Sequence, residues 1–295
     1  MTRARWEAAD IGDQTGRHFV VTGGNSGLGA ATATALAAAG ARVTLACRNQ
    51  TTARAVADRI GAAAAVAPLD LADLASVRAF ADTVDAVDVL INNAGVMAVP
   101  YRRTVDGFEL QMGTNHLGHF ALTGLLLPKI GDRVVTVSSM MQYGSRLQFF
   151  DDLNWERRRY NRWVAYGDSK LADLMFGLEL ADRLHRAGSS TIAAVAHPGY
   201  ADTGLLGGSG AAFDAVAGLG SRLRLGQTPE RGALPTLYAA TAPDVVGGGY
   251  YGPDRFAGLR GHPAPARPRR AARDRELRGR LWRESERLTG VGFGV

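Results

Sequence analysis

The 295-residue sequence predicts an α/β fold of one domain, in which a doubly wound parallel sheet of about seven strands carries helices on both faces. Short apolar segments alternate with longer segments of helical periodicity along most of the chain. The apolar segments show little polar alternation, which is typical of parallel strands that are buried on both faces. Because no linker-like stretch interrupts this pattern, we expect a single domain over residues 1–295.

The expected elements follow in order. Strands are predicted over 18–22, 42–46, 64–67, 87–91, 133–137, 191–196 and, briefly, 250–251. Helices are predicted over 27–39, 51–60, 74–84, 113–127 and 166–186, with Gly40 in the capping position after the first and Pro128 ending the fourth. A basic helix is predicted over 271–289. Two segments interrupt the alternation: an insertion at 140–164 and a glycine-rich stretch at 204–226 suited to a substrate lid.

Composition excludes several classes of protein. The single cysteine, Cys47, excludes an internal disulfide and a cysteine cluster for zinc, and no histidines have a metal-binding spacing. No stretch reaches the eighteen or so apolar residues of a membrane span, and the first sixteen residues lack an apolar signal core. We therefore expect a cytoplasmic protein with no bound metal and no integral membrane segment.

The net charge of +6 reflects arginines concentrated near the C-terminus. Nucleic-acid binding is one interpretation of such a cluster. A solvated amphipathic helix is the other, and it is favoured because acidic residues alternate with these arginines while no aromatic stripe or glycine–arginine repeat accompanies them. The sequence therefore does not point to nucleic acid as a partner.

Tyr166 and Lys170 are separated by one helical turn. The chain has 34 basic residues, of which only Lys129 and Lys170 are lysines. A lysine offers a compact point charge where arginine offers a flat fork. Because residues four apart share one face of a helix, the phenol and the ammonium can reach the same ligand. A solvated helix face is the alternative interpretation of this spacing alone.

A glycine-rich turn lies between the first predicted strand and the first helix. Its sequence, from Thr22 to Gly29, lets the backbone approach a pyrophosphate, and the helix N-terminus offers free N–H groups. Its spacing differs from the usual Gly-x-Gly-x-x-Gly. After the second strand, where an NAD site usually has an acid, this chain has Arg48 instead. An arginine can bind a 2′-phosphate through charge-assisted hydrogen bonds, so we expect NADP, with NAD the alternative.

With these motifs in view, the sequence resembles the short-chain dehydrogenases/reductases, especially the branch of retinol dehydrogenase-like enzymes, over roughly residues 16–290. The matching motifs occur in the family's order. They are 22–29, Asp70-Leu71, Asn92-Asn93-Ala94-Gly95, 115–120, Val137-Ser138-Ser139, Tyr166 with Lys170, His197-Pro198-Gly199, 250–253 and Leu281-Trp282 with Ser285. The resemblance implies a Rossmann-type fold and an oxidoreductase.

The resemblance also assigns residues. It implies a catalytic tetrad of Asn115, Ser139, Tyr166 and Lys170, with Ser139 taken as the second serine of its pair. It implies cofactor contacts from Gly23, Asn25, Ser26, Gly27, Leu28, Gly29, Arg48, Asp70, Leu71, Asn92, Ala94, Gly95, Tyr166, Lys170, Pro198, Gly199 and Thr203. Asn115 would hold a water linking Lys170 to solvent, and Lys170 would also bind the nicotinamide ribose.

The chemistry of these residue types agrees with that assignment. A hydride that moves to or from carbon must be accompanied by a proton on oxygen, and a phenol is normally too weak an acid near neutral pH. The positive charges of Lys170 and of an oxidised nicotinamide favour the ionised phenol. Ser139 would hold the substrate oxygen where charge develops.

The function expected from the sequence is therefore the interconversion of an alcohol and its aldehyde or ketone with NAD(P)(H), with Tyr166 as general acid/base. The alternative is a catalytically silent NADP(H)-binding regulator of the same fold. An apolar small-molecule substrate is expected, in a pocket lined by 140–144, Phe149, Trp155 and the lid. No membrane anchor is seen, so a lipid or retinoid substrate is not implied. Homo-oligomers are common in the family, which leaves the oligomeric state open.

Overall fold

A computed structural model describes residues 5–145, 148–200 and 227–295, without the side chains of residues 148 and 149. In this part of the chain, eight strands form one sheet in the order β3-β2-β1-β4-β5-β6-β7-β8. They are β1 His18–Thr22, β2 Arg42–Cys47, β3 Ala64–Pro68, β4 Val87–Asn92, β5 Ile130–Val137, β6 Ile192–Ala196, β7 Tyr250–Arg255 and β8 Arg260–Pro265. All neighbours are parallel except β7 and β8. The doubly wound α/β fold predicted from the sequence is confirmed, with one strand more than expected.

The described helices are α1 Gly27–Ala38, α2 Gln50–Ile60, α3 Leu74–Thr83, α4 Gly118–Leu126, α5 Arg162–Arg186, α6 Pro229–Thr241 and α7 Arg275–Thr289. A π-helical turn, Met112–Leu117, leads into α4, so the helix predicted over 113–127 is irregular in its first half. The segment after β5 contains short 3-10 turns at Met140–Gly144 and Gln148–Asp151. The predicted lid at 204–226 lies outside the described residues.

Two hydrophobic layers cover the sheet because successive strand residues point to opposite faces. In β1, Phe19 and Val21 pack with α1, α2 and α6, whereas Val20 packs with α3, α4 and α5. Each strand is therefore apolar on both faces, which explains the continuous apolar runs in the sequence.

The strand that was not predicted, β8, pairs antiparallel with β7 at the edge of the sheet. Its sequence contains Gly261, Pro263 and Pro265, residues that normally indicate a loop. Proline is tolerated there because an edge strand has one side without a hydrogen-bonding neighbour. The helix α6 was also missed; it starts with Thr228 as N-cap and Pro229 in its first turn, and it contains Pro235.

The helix α5 carries the Tyr166–Lys170 pair. It begins at Arg162, earlier than predicted, because the Asn161 side chain accepts hydrogen bonds from the N–H groups of Trp163 and Val164. At Gly177 the helix lies so close to β6 that a Cβ atom would stand 2.3 Å from the Cγ2 atom of Val195. This close approach fixes the helix against the sheet and sets the depth of the face that carries Tyr166 and Lys170.

The C-terminal helix α7 begins one residue after Asp274, whose carboxylate accepts hydrogen bonds from two helix N–H groups. It packs through Trp282 against the aromatic rings of Phe120 and Phe176. Several of its arginines form ion pairs: Arg278 and Arg275 with Asp182, Arg280 with Asp151, and Arg287 with Glu284. These contacts support the interpretation of the basic segment as an amphipathic surface helix. None of the described helices is both long enough and apolar enough to span a membrane.

Candidate active site

A cavity of about 460 Å³ lies along the carboxyl ends of the first six strands. Strand order reverses between β1 and β4, and in open α/β sheets a ligand crevice forms at such a reversal. The volume falls in the usual range for a ligand site. Of the predicted cofactor residues, the cavity is lined by Gly23, Asn25, Ser26, Gly27, Leu28, Gly29, Arg48, Asp70, Leu71, Ala94, Gly95, Tyr166, Lys170, Pro198 and Gly199.

The turn after β1 is shaped for a closely bound phosphate group. Gly23 has φ of +65°, and a Cβ atom on it would stand 3.0 Å from Ala94. A Cβ atom on Gly29 would stand 2.3 Å from the carbonyl oxygen of Gly23. The turn is therefore compact, and the N-terminus of α1 opens directly onto the cavity. Free N–H groups and the positive end of the helix dipole suit a pyrophosphate, so these residues fit the cofactor that the sequence implies.

Arg48 is exposed at the end of β2 and lines the same cavity. It forms no ion pair or hydrogen bond with any described residue. Its neighbour Asn49 instead caps α2 by accepting a hydrogen bond from the N–H group of Thr52, and Thr52 accepts one from Asn25. The Arg48 guanidinium therefore projects beside the phosphate turn without a competing carboxylate.

One predicted cofactor residue lies elsewhere. Asn92 ends β4 fully buried, and its side chain donates to the hydroxyl of Thr123 at 2.9 Å instead of lining the cavity. The next residue, Asn93, does line it and donates to the carbonyl oxygen of Thr22. The physical reason is strand alternation: Asn92 points toward α4, so a contact from its side chain to a ligand is not available in this structure. Thr203 lies outside the described residues.

Tyr166 and Lys170 stand on the face of α5 that closes the cavity. Lys170 is buried, and its Nζ atom donates to the carbonyl oxygen of Val137 at 2.9 Å and to the carboxylate of Asp173 at 2.8 Å. Burial alone would lower the pKa of Lys170, but the attraction and hydrogen bond of the Asp173 carboxylate, together with an attraction to Tyr166, outweigh that effect and the net pKa is raised. Burial raises the pKa of Asp173, and the contact with the Lys170 ammonium opposes that rise.

The two serines after β5 have different environments. Ser138 is buried, and its hydroxyl donates to the carbonyl oxygen of Lys170 at 2.7 Å. Both serines line the cavity, but Ser139 is less buried and accepts a hydrogen bond from the N–H group of Met141. A hydroxyl that accepts this bond still has its own proton to donate, so Ser139 is the serine available to a ligand.

Asn115 lies in the π-helical turn and does not line the cavity. Its side-chain oxygen accepts from the N–H group of Val96, and its amide nitrogen donates to the carbonyl oxygen of Val96 and to Ser169. Its own carbonyl oxygen accepts a hydrogen bond from His119. Asn115 thus holds the segment after β4 in place, and it forms no direct hydrogen bond with Lys170 in the described structure.

Two histidines lie behind the tetrad and are fully buried. His119 bonds to Thr22 and to Asn115, and His116 bonds to Ser285 of α7 at 2.8 Å. Burial lowers the pKa of each to about 3, so both are neutral near pH 7. Within the described structure they pack against their neighbours and form hydrogen bonds.

The side of the cavity near Tyr166 is apolar and includes Met140, Met141, Trp163, Tyr200 and Leu259. Met140 and Met141 were predicted, whereas the other three were not, because they come from segments separated by many residues. Trp155 does not line the cavity; it is buried against Tyr160, with the Arg158 guanidinium 3.8 Å from its ring centre. The side chain of Phe149 lies outside the described structure.

Asp173 was not identified from the sequence as a site residue. Its spacing of three from Lys170 on one helix was the available signal, because residues three apart also share a face. Most such pairs are solvated, so spacing alone does not show that this one is buried behind the cavity.

Known proteins resemble this chain over nearly its whole length. A family model described as short chain dehydrogenase matches residues 17–149. Retinol dehydrogenase 13 of Homo sapiens is 41% identical over 94% of this chain and 85% of its own length. Polyprenol dehydrogenase of Mus musculus is 40% identical over 95% of this chain and 86% of its own length. A crystal structure of an uncharacterized protein from Mycobacterium paratuberculosis is 49% identical, covers 99% of this chain and 100% of that one, and superposes with a TM-score of 0.87.

Because it covers 99% of the chain, the match to the solved structure extends across the glycine turn, the Tyr166–Lys170 helix and the C-terminal helix. The resemblance inferred from the sequence motifs is confirmed. The chain belongs to the short-chain dehydrogenase/reductase family, in its retinol dehydrogenase-like branch, and is an NAD(P)-binding oxidoreductase that acts on CH–OH groups.

Proposed function

We propose that this oxidoreductase interconverts an alcohol and its aldehyde or ketone with NADP(H), using Tyr166 as the general acid/base. One observation carries the proposal: the Tyr166 phenol, the Lys170 ammonium and the glycine turn line the same cavity. A dinucleotide bound along it would extend from the phosphate turn toward the phenol. The other members of the proposed tetrad are Ser139 and Asn115.

The pyrophosphate of the cofactor would be bound mainly by backbone N–H groups. The N–H groups at the start of α1 face the pyrophosphate position, while Asp70 and Leu71 line the part of the cavity beside β3. When bound, the nicotinamide ring supplies or accepts the hydride. Pro198 and Gly199 line the cavity after β6, on the same side of the sheet reversal as Tyr166.

The proton would move at the Tyr166 oxygen. During carbonyl reduction the phenol gives its proton to the substrate oxygen, and during alcohol oxidation the ionised phenol takes it back. Lys170 has three N–H groups, of which Val137 and Asp173 occupy two, so one remains for the ribose or the phenol. Its positive charge favours the ionised phenol, and the Ser139 hydroxyl would hold the substrate oxygen while charge develops.

The substrate would be an apolar molecule with one polar end. Met140, Met141 and Trp163 form an apolar wall beside Tyr166, and such a wall binds hydrocarbon rather than sugar or acid groups. The relatives named above are a retinol dehydrogenase and a polyprenol dehydrogenase, both named for alcohols on long apolar chains. We infer an apolar alcohol or carbonyl compound as the substrate class.

The preference for NADP(H) would come from Arg48. It lines the cavity beside the phosphate turn, and no carboxylate follows β2 to bind a free 2′-hydroxyl. A guanidinium and a phosphate form charge-assisted bonds that a ribose hydroxyl cannot replace.

The test follows the absorbance of NADPH in both directions. It should fall when the enzyme and NADPH are mixed with an apolar aldehyde or ketone from a panel, and rise when the enzyme and NADP⁺ are mixed with the matching alcohol. Consumption of NADPH with at least one carbonyl compound is expected. Tight cofactor binding by calorimetry, with no turnover of any compound, would instead favour a catalytically silent regulator. Failure to bind either dinucleotide would overturn both.

A further inference from the structure

The polar surroundings of Lys170 are asymmetric. On the cavity side stands Tyr166, which is uncharged when protonated, and on the opposite side stands the Asp173 carboxylate at 2.8 Å. The Val137 carbonyl oxygen is the other hydrogen-bond acceptor on Nζ. Among the described residues, Asp173 is therefore the one negative charge in contact with this lysine.

A lysine in this position needs a counter-ion. Lys170 is 5% exposed, and burial drives an ammonium toward its neutral form, by several pH units when a lysine is fully enclosed. A neutral amine would no longer attract charge on the phenol. Coulomb energy falls with distance. The Asp173 carboxylate touches Lys170, so it stabilises the charge of the lysine far more than it opposes charge on the more distant Tyr166 phenol.

The second oxygen of Asp173, Oδ1, is buried without a hydrogen-bond partner in the described structure. It lies 4.0 Å from the Nδ1 atom of His116, which is beyond hydrogen-bond distance, and Nδ1 has no partner among the described residues either. The other ring nitrogen of His116 bonds to Ser285 of α7. The Ser285 hydroxyl donates to the carbonyl oxygen of Leu281, so Nε2 of His116 donates to Ser285 and Nδ1 of the neutral ring carries no proton. His116 therefore does not compete with Lys170 for the charge of the carboxylate.

The titratable groups around the pair come from three elements. Tyr166, Lys170 and Asp173 belong to α5, while His116 and His119 come from the π-helical turn and α4. Both histidines are held neutral by burial, which lowers their pKa to about 3. No other charged side chain of the described residues faces Lys170, so the carboxylate alone balances the ammonium.

We propose that Asp173 is a positioning residue of the active site, the counter-ion that fixes the Lys170 ammonium and keeps it charged while the lysine acts on Tyr166. This role rests on the proposed function of the Tyr166–Lys170 pair. Asn115 cannot take it directly, because its side chain is engaged by Val96 and Ser169. Asp173 thus contacts Lys170 directly, without a bridging water molecule.

The lysine content of the chain makes a direct test feasible. Lys129 and Lys170 are the only lysines, so protein labelled with ¹³C at the lysine ε-carbon gives two resonances. Lys129 donates to the carbonyl oxygen of Ala81, away from the cavity, and serves as an internal reference. The variant Lys129→Arg assigns the signals. Each resonance is then followed against pH by NMR, which reports the charge of each amine without requiring turnover.

The informative variant is Asp173→Asn, which preserves the shape and an acceptor oxygen but removes the charge. The midpoint of the Lys170 titration is expected to move down by at least about one pH unit while that of Lys129 stays in place. The matched control is Asp182→Asn, on the same helix, which loses an ion pair to Arg278 instead. An unchanged Lys170 midpoint in Asp173→Asn, or an equal shift in Asp182→Asn, would overturn the proposal.

A kinetic arm tests the link to catalysis. In the wild-type enzyme, turnover is expected to decline at alkaline pH. In Asp173→Asn this decline should move to lower pH by the same amount as the Lys170 midpoint. A pH–rate profile that does not move would show that the charge of Lys170 is irrelevant to the reaction. Absence of turnover in the wild-type protein would refute the proposed function while leaving the NMR result to be judged separately. If Asp173→Asn does not fold, Asp173→Ser, which leaves room for a water, provides the same measurement.

Discussion

The two ends of the cavity are built by different means. At the phosphate end the site consists of backbone: glycines that lie too close to their neighbours to carry a Cβ atom, and the N-terminus of α1. At the catalytic end it consists of buried side chains, with Lys170 held by Asp173 on the same helix. The comparison teaches that recognition of the cofactor depends on the shape of a few consecutive backbone units, whereas the chemistry depends on charges of one helix that the packing of the rest of the chain buries.

The largest expected effect comes from the catalytic end. Tyr166→Phe removes the group that carries the proton and should lower kcat by about a thousandfold, within the range for loss of a general acid/base. The affinity for NADPH should stay nearly unchanged, since the phosphate turn is intact. Fluorescence titration of NADPH beside steady-state kinetics separates the two quantities, and an active Phe variant would refute the assigned mechanism.

The paired serines sharpen the catalytic end further. Ser139→Ala should lower kcat by about a hundredfold, because a donor to the developing charge is lost. Ser138→Ala is the matched control: it removes a hydroxyl bound to the Lys170 carbonyl oxygen and should cost about 1 kcal/mol of unfolding free energy. Kinetics and thermal melts of both variants decide the question, and the reverse pattern would assign the catalytic role to Ser138.

At the phosphate end, the variant Gly29→Ala sets helix propensity, which favours alanine, against a steric clash, which excludes it. Alanine is the better helix former, yet its Cβ atom would stand 2.3 Å from the Gly23 carbonyl oxygen. Relieving that clash distorts the turn at a cost of about 2 kcal/mol, so NADPH affinity should fall by about thirtyfold. Gly12→Ala is the control, because a Cβ atom there meets nothing within 4 Å. Unchanged affinity in Gly29→Ala would show that the turn does not approach the cofactor.

The smallest effect is expected for Arg48→Ala. Losing one charge-assisted contact should weaken NADPH by about tenfold and leave NADH almost unaffected. Parallel titrations with the two dinucleotides give the ratio directly. Equal losses for both would remove Arg48 from the 2′-phosphate site and leave cofactor preference to other residues.

The elements of the fold that were predicted correctly are those that a local sequence pattern indicates. Six of the parallel strands show as apolar runs, and α1 and α5 show as helical periodicity. The strand β8 and the helix α6 were missed because each contains prolines that normally end such elements. Their positions at the sheet edge and behind an N-cap make proline acceptable, and that context is not visible in a short window.

The site residues show the same division between features of the local sequence and features of the tertiary structure. The glycine turn, Arg48 and the Tyr166–Lys170 spacing were found because each feature occupies a few consecutive positions. The placement of Asn92 depended on which face of β4 its side chain takes, so pattern matching selected a residue that the structure directs toward Thr123. The apolar wall was found only in part, since Trp163, Tyr200 and Leu259 meet across segments that are far apart in sequence.

The sequence by itself determined the sheet of alternating strands and helices, the phosphate turn and the pairing of a phenol with an ammonium, because periodicity and spacing of three or four residues act locally. Only the tertiary structure showed that the Ser138 hydroxyl donates to the carbonyl oxygen of Lys170, and what balances the charge of Lys170. The contact between His116 and Ser285, 169 positions apart, shows the reason. Burial sets the cost of an unpaired charge, and burial is a property of the packed chain rather than of any segment of it.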